Sequence, residues 1–158
     1  MEMKDFLRLS AEEAGIRLTE EMSDKFQVFY EELIETNKTL NLTTITEMKE
    51  VVLKHFIDSM AVSKFYDLSG NSVIDVGTGA GFPGIPLAIL YPDTRFVLLD
   101  SLEKRLRFID GVLKKCGIIN VELIHGRAED FGKDIKYRER FDFCISRAVA
   151  ALPVLLEL

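Results

Sequence analysis

The stretch Val73-Ile74-Asp75-Val76-Gly77-Thr78-Gly79-Ala80-Gly81-Phe82-Pro83-Gly84-Ile85-Pro86-Leu87-Ala88 decides the fold. It opens as a short apolar strand, places four of the chain's ten glycines between Gly77 and Gly84, and continues as an apolar helix with Pro86 in its first turn. Strand, glycine loop and helix in that order bring backbone close to a ligand, because glycine has no Cβ to hold it off. The same texture continues downstream. Strand Ser72 to Val76 is followed by a helix that stops before Pro92, then strand Arg95 to Leu99 and a helix from Leu102 to Lys115. Ser101 is the expected cap of that helix and Gly117 lies past its end. Strands Val121 to His125 and Phe141 to Ser146 complete the set. Alternating strands and helices of this kind make a parallel sheet with right-handed crossovers, an α/β doubly wound, Rossmann-like fold.

Upstream, residues 1 to 65 have apolar positions at helical rather than alternating spacing. Met3, Phe6 and Leu7 begin a short helix that Gly15 closes. Thr19 is the expected cap of a second helix, whose Met22, Phe26, Phe29, Tyr30 and Leu33 share a face down to about Asn37. After a polar link, a third helix from about Thr46 aligns Met48, Val51, Val52, His55, Phe56, Ser59 and Met60. The expected organisation is an N-terminal helical cap over 1–65 and a ligand-binding α/β domain over 66–158. Only Ala150 to Leu158 follow the fourth strand, whereas complete folds of this type carry a second half beyond strand one. The chain therefore reads as a fragment or truncated form of a longer protein.

The 158 residues are 47% apolar and 29% charged, ordinary for a globular protein with a real core. The net charge of −6 does not mark a nucleic-acid binder, but residues 101–158 carry 11 cations against 9 anions, so a polyanion would meet the last third first. Cys116 and Cys144 are too few for a disulfide framework, and His55 and His125 are not at ligand spacing, so no metal site is expected. Both cysteines are expected in the core. The start has no basic segment leading into an apolar run, and the longest uncharged stretch, Val76 to Pro92, is broken by four glycines and three prolines. No membrane association is expected, and a reducing cytoplasm fits.

Gly79, Gly81 and Gly84 satisfy the dinucleotide fingerprint, and Asp100, 21 residues after Gly79, is near the distance of a ribose-binding acid. An NAD-dependent oxidoreductase is one reading. Asp75, two residues before Gly77, argues for another ligand, because a carboxylate beside the loop opposes a pyrophosphate and welcomes a cationic amine. S-adenosyl-L-methionine has that amine, a sulfonium and two ribose hydroxyls for Asp100. After the third strand, Ala128 and Glu129 in Gly126-Arg127-Ala128-Glu129-Asp130 are candidates for the adenine edge.

The run from Val73 to Ala88 resembles motif I of the ribosomal RNA small subunit methyltransferase G family, also called glucose-inhibited division protein B. Asn37-Lys38 with Asn41-Leu42-Thr43, then His55-Phe56-Ile57-Asp58-Ser59, and Ser146-Arg147-Ala148 agree in order along the whole chain. The Gly-Phe-Pro-Gly extension and the Ser-Arg-Ala triplet are specific, whereas Asp-x-Gly-x-Gly-x-Gly is shared by many methyltransferases. The resemblance implies a Rossmann-like methyltransferase fold and methyl transfer from S-adenosyl-L-methionine to N7 of a guanine in 16S rRNA, with the rRNA or the small ribosomal subunit as partner. Family members are longer, so this chain lacks their C-terminal part.

On this reading the cofactor set is Asp75, Gly77, Gly79, Gly81, Phe82, Asp100, Ala128 and Glu129. The substrate set is Arg147, Ser146, Asn41 and Lys38. Arg147 follows strand four, where ligands of open α/β sheets bind, and is suited to an RNA phosphate or a base edge, or to a plain surface ion pair. Ser146 either donates a hydrogen bond or ends the strand, and Lys38 and Asn41 either meet RNA or lie in a solvated loop. His55 and Asp58 share a helix face; only the resemblance lifts them above a structural pair. Lys104, Arg107, Lys114 and Lys115, with Lys133, Lys136, Arg138 and Arg140, form either a phosphate track or a solvated face. A non-catalytic RNA-binding or ribosome-associated module remains a third reading.

Overall fold

The computed structural model describes residues 1–147. The expected helical start at Ala150 to Leu158, and Ala148 of the Ser-Arg-Ala triplet, lie outside them. The elements are helices α1 (Met3–Glu13), α2 (Glu20–Asn37), α3 (Met48–Glu50), a π-helical stretch (Val51–Ile57), α4 (Asp58–Met60), a 3-10 turn (Ala61–Lys64), strand β1 (Ser72–Val76), α5 (Gly84–Leu90), β2 (Arg95–Asp100), α6 (Glu103–Cys116), β3 (Val121–His125), α7 (Ala128–Lys133) and β4 (Phe143–Ile145). The four strands are parallel in the order β3-β2-β1-β4. The order reverses between β1 and β4, and the crevice beyond the carboxyl ends of those two strands is where open α/β sheets bind ligands.

Strand parity decides what each face does. Val73, Phe96 and Leu98 face the large core, which contains α5 and α6 and continues without a break into α1, α2 and the third helical segment. Val76, Val97, Leu99 and Ile124 face a smaller cluster that includes Phe131 of α7 and Phe141. Asp75 shares the first face with Val73 and therefore points beneath α5.

The N-terminal helices do not sit on this domain as a separate layer. Phe29 of α2 stacks on Phe82 of the glycine loop at 5.2 Å and lies 5.5 Å from Phe56 and 6.4 Å from Phe108 of α6. One aromatic cluster thus belongs to both halves of the sequence. Thr19 caps α2 as expected, its hydroxyl accepting from Met22 N, and Gly117 ends α6 with φ 67°.

Three local expectations are corrected. Ser101 does not cap α6: Asp100 Oδ1 accepts from Leu102 N, so a carboxylate two residues upstream makes the turn and Leu102 occupies the cap position. β4 is three residues long rather than six, because Asp142 binds Ser72 N and Oγ through its side chain and Ser146 Oγ donates to Val76 O. Cys144 is exposed rather than in the core, since β4 is the edge of the sheet among the described residues, while Cys116 is half-buried with its thiol pushed up to about 11 by burial.

Through the shared aromatic cluster the helical segment and the sheet are expected to unfold as one cooperative unit. Phe29→Ala is expected to cost about 3–5 kcal/mol and to lower the urea midpoint of helix and sheet probes together. A helical segment that melts separately from the sheet in hydrogen exchange would contradict the continuous core.

Candidate functional site

The glycine loop is shaped by two carboxylates. Asp75 is fully buried; its Oδ2 accepts from Thr78 Oγ1 at 2.6 Å and from Gly84 N at 2.9 Å. Gly84 tolerates this approach because it has no side chain: a Cβ there would lie 2.8 Å from both Asp75 Oδ2 and Leu98. Asp100, 3% exposed, reaches from the end of β2 to accept from Gly79 N at 2.8 Å. Gly77, Gly79 and Gly81 all have positive φ, 68°, 61° and 99°, a backbone that other residues rarely adopt.

Two cavities open on either side of Asp100. The larger, about 430 Å³, lies between the loop and the helical segment and is bounded by Gly79, Phe82, Arg105, Arg147, His55 and Thr43. The smaller, about 250 Å³, lies between β1, β2 and the start of α7 and includes Ala128 and Glu129. Gly77, Asp100 and Ser101 line both, so the pair forms one elongated depression across the carboxyl ends of the strands.

Its far wall is a polar chain anchored in the helical segment. Asn37 Oδ1 accepts from Leu42 N and Thr43 N, and its Nδ2 donates to Thr43 O, which folds the link after α2 over the loop. Thr43 Oγ1 then meets His55 Nε2 at 2.9 Å. His55 Nδ1 is 2.8 Å from Arg147 Nη2. Arg147 Nη1 donates to Lys54 O at 3.2 Å and to Asp58 Oδ2 at 3.4 Å. The imidazole lies flat on Phe82, centroids 4.5 Å apart and planes 11° apart, and the guanidinium is 5.0 Å from the same ring. His55 and Lys54 belong to the π-helical stretch, a geometry that recurs at functional sites.

The sequence-expected residues divide accordingly. Gly77, Gly79, Phe82, Asp100 and Arg147 meet at the larger cavity; Ala128 and Glu129 line the smaller. Asp75 was expected to face a ligand's cationic amine; instead it lies beneath α5 and lines neither cavity, because strand parity turns it into the core. Gly81 packs against Ile85, and Ser146 fastens β4 to β1. Lys38 pairs with Glu35 on the surface and Asn41 is exposed; neither is among the cavity's lining residues. Asn37 and Thr43 hold the positions that the link contributes. Asn37 ends a helix and is followed by a polar link, and an amide there is suited to satisfying loose backbone groups, which is the signal that would have found it.

The cations of α6 are largely neutralised in place. Arg107 pairs with Glu103, Lys114 with Asp110 and Lys115 with Glu32. These contacts favour a solvated face over a phosphate track. Among the described residues, no group of three His, Cys, Asp or Glu is arranged to hold a metal ion, and no helix is long and apolar enough to cross a membrane.

Two buried groups give opposite pH dependences. Burial pushes Asp75 up to about 7, against its bonds from Thr78 and Gly84 and the field of Arg147. The folded protein thus holds this proton more tightly than the unfolded chain, so the contribution to stability is full below pH 3.8 and is lost as pH rises through about 7. Burial and then Arg147 push His55 down to about 4, against Asp58. Its contribution is full above 6.5 and is lost as pH falls toward 4. Urea midpoints measured from pH 4 to 8 are expected to show Asp75→Asn gaining on the parent as pH rises. His55→Gln is expected to gain on it as pH falls.

The family model for rRNA small subunit methyltransferase G matches residues 22–158. The chain is 54% identical over 148 residues to a ribosomal RNA small subunit methyltransferase G from Thermoanaerobacter sp. (strain X514), covering 93% of this chain and 62% of that one. It is 49% identical over 150 residues to the protein of the same name from Desulfitobacterium hafniense (strain Y51), covering 95% and 62%. The chain thus spans about 62% of the length of these curated relatives. Among solved structures, a mutant of MtNAS superposes with a TM-score of 0.50 at 18% identity, over 94% of this chain and 61% of that one, a likeness of fold. The matched span includes the glycine loop, Asp100 and the His55–Arg147 wall together, and by it the chain belongs to the rRNA small subunit methyltransferase G family.

Proposed function

We propose that the chain carries the cofactor-binding part of an S-adenosyl-L-methionine-dependent methyltransferase that modifies N7 of a guanine in 16S rRNA. The observation that supports this most strongly is the occupation of the loop's amides by acids. Gly79 N donates to Asp100 and Gly84 N donates to Asp75. A pyrophosphate would need the Gly79 amide free and would meet the Asp100 carboxylate at the cavity rim, whereas Asp75 and the Gly84 amide it holds are closed off in the core, which disfavours a dinucleotide. A phosphate-free, cationic nucleoside ligand has neither difficulty. The residues present fit it: Asp100 lines both cavities, its oxygens accept one backbone bond each, Arg105 Nη1 lies 3.6 Å from Oδ2, and a carboxylate keeps acceptor sites beyond these for ribose hydroxyls. Ala128 and Glu129 line the pocket on the side where the adenine would lie.

When bound, S-adenosyl-L-methionine supplies a methyl group on a positively charged sulfur. Guanine N7 has a lone pair and no proton to lose, so the protein's task is to hold the base in line and exclude water rather than to act as a general base. Arg147 offers two N–H groups beyond those bound to Lys54, Asp58 and His55, suited to the guanine O6, which leaves the N7 lone pair free, or to a neighbouring phosphate. Phe82 beneath it offers a stacking surface. On this reading the partner is 16S rRNA or the small subunit and the location is the cytoplasm.

Calorimetric titration with S-adenosylhomocysteine and with NAD separates the two ligand classes. S-adenosylhomocysteine is expected to bind, and Asp100→Ala to weaken it by about 1–3 kcal/mol, the cost of leaving buried donors unpaired. Binding of NAD without S-adenosylhomocysteine would remove the assignment. Transfer of labelled methyl to unmodified 16S rRNA, with the base mapped afterwards, tests the substrate.

A further inference from the structure

The cavity wall contains a buried histidine that the methyl-transfer chemistry does not need. His55 is 7% exposed, bonded at both ring nitrogens, and stacked on a loop residue. An arginine always donates, so the nitrogen facing Arg147 is an acceptor and the proton lies on the other. His55 is therefore neutral, with Nδ1 accepting from Arg147 and Nε2–H donating to Thr43 Oγ1, whose other bond is from Ile45 N. Thr43 is itself held by Asn37 through its backbone, so the ring's outer partner is placed from the link after α2.

We propose that His55 is the positioning residue for Arg147, and that Asn37 and Thr43 act through it by holding its ring in place. Nδ1, as an acceptor, joins Lys54 O and Asp58 Oδ2 in holding the guanidinium by three of its five N–H groups. Its Cζ lies 5.0 Å over the Phe82 ring, and the side chain remains 28% exposed at the cavity mouth. Without the imidazole acceptor the guanidinium keeps only the longer contacts through Nη1 and turns about them. The groups facing His55 are consistent with this: Arg147 after β4 is cationic, Asp58 on α4 is anionic and pairs with Arg147, and Thr43 and Phe82 carry no charge. The role of Arg147 toward RNA rests on the function proposed above; its being held by His55 does not.

Two substitutions at one position separate positioning from packing. Asn places an acceptor near the site of Nδ1 and loses Nε2, whereas Gln reaches the site of Nε2 and loses Nδ1; both remove the ring from Phe82. Rotation of the Arg147 guanidinium, read by side-chain NMR without ligand, is expected to stay slow in the parent and in His55→Asn and to become fast in His55→Gln. Thr43→Val, which leaves the ring in place, is expected to speed it less than His55→Gln does. In binding to unmodified 16S rRNA, His55→Gln and Arg147→Ala are each expected to lose about tenfold, and His55→Asn much less. Equal effects of Asn and Gln on rotation, or slow rotation in a folded His55→Gln protein, would overturn the positioning role. The expected rotation pattern with RNA binding unchanged by Arg147→Ala would uphold it and overturn instead the proposed contact with RNA.

Discussion

The fold around the glycine loop depends on one buried carboxylate. Asp75 Oδ2 takes the hydroxyl of Thr78 and the amide of Gly84, and by doing so sets both where the loop leaves β1 and where α5 begins. Everything in contact with the loop inherits that placement: Gly79 over Asp100, Phe82 against the helical segment, and the depression between them. The arrangement is costly, since Asp75 Oδ1 has no hydrogen-bond partner among the described residues and burial holds the carboxyl near neutrality. A buried acid that is half satisfied shapes backbone more firmly than a solvated one, because losing either donor would leave polar groups unpaired in the core.

Asp100 complements it from the next strand. It binds one amide of the loop and one of the turn before α6, and so links the ends of β1 and β2 at the point where the two cavities meet. One acid is enclosed and structural; the other remains at the cavity rim with acceptor capacity to spare. Their difference follows from position along parallel strands in register. Asp75 pairs opposite Leu98 within the sheet, whereas Asp100 is the last residue of its strand and opens toward the crevice.

Phe82 joins this frame to the N-terminal helices. It touches Phe29 and His55 and lies beneath Arg147, so residues from α2, the π-helical stretch, the loop and the end of β4 converge on one ring. The helical segment therefore completes the core and also supplies one wall of the cavity. Binding sites made this way inherit rigidity from packing, since the side chains that would face a ligand are fixed by contacts on their other sides.

The sequence by itself determined the strands, their alternation with helices and the place of the glycine loop, because hydrophobic period and turn glycines are local signals that read directly as backbone. It also pointed to Asp100 at the end of β2 and Arg147 just past β4, where the fold type puts ligands. Tertiary structure decided the rest. That Asp75 is enclosed depended on which face of β1 packs under α5, and that Ser101 yields its capping role depended on the Asp100 carboxylate reaching forward to Leu102 N. Lys38 and Asn41 were legible only as polar residues of a link; Asn37 binds that link's backbone and turns Thr43 toward His55. The pairing of His55 with Arg147 joins residues 92 apart, and no local pattern carries it, since it exists only once the third helical segment and the end of β4 pack against the same ring.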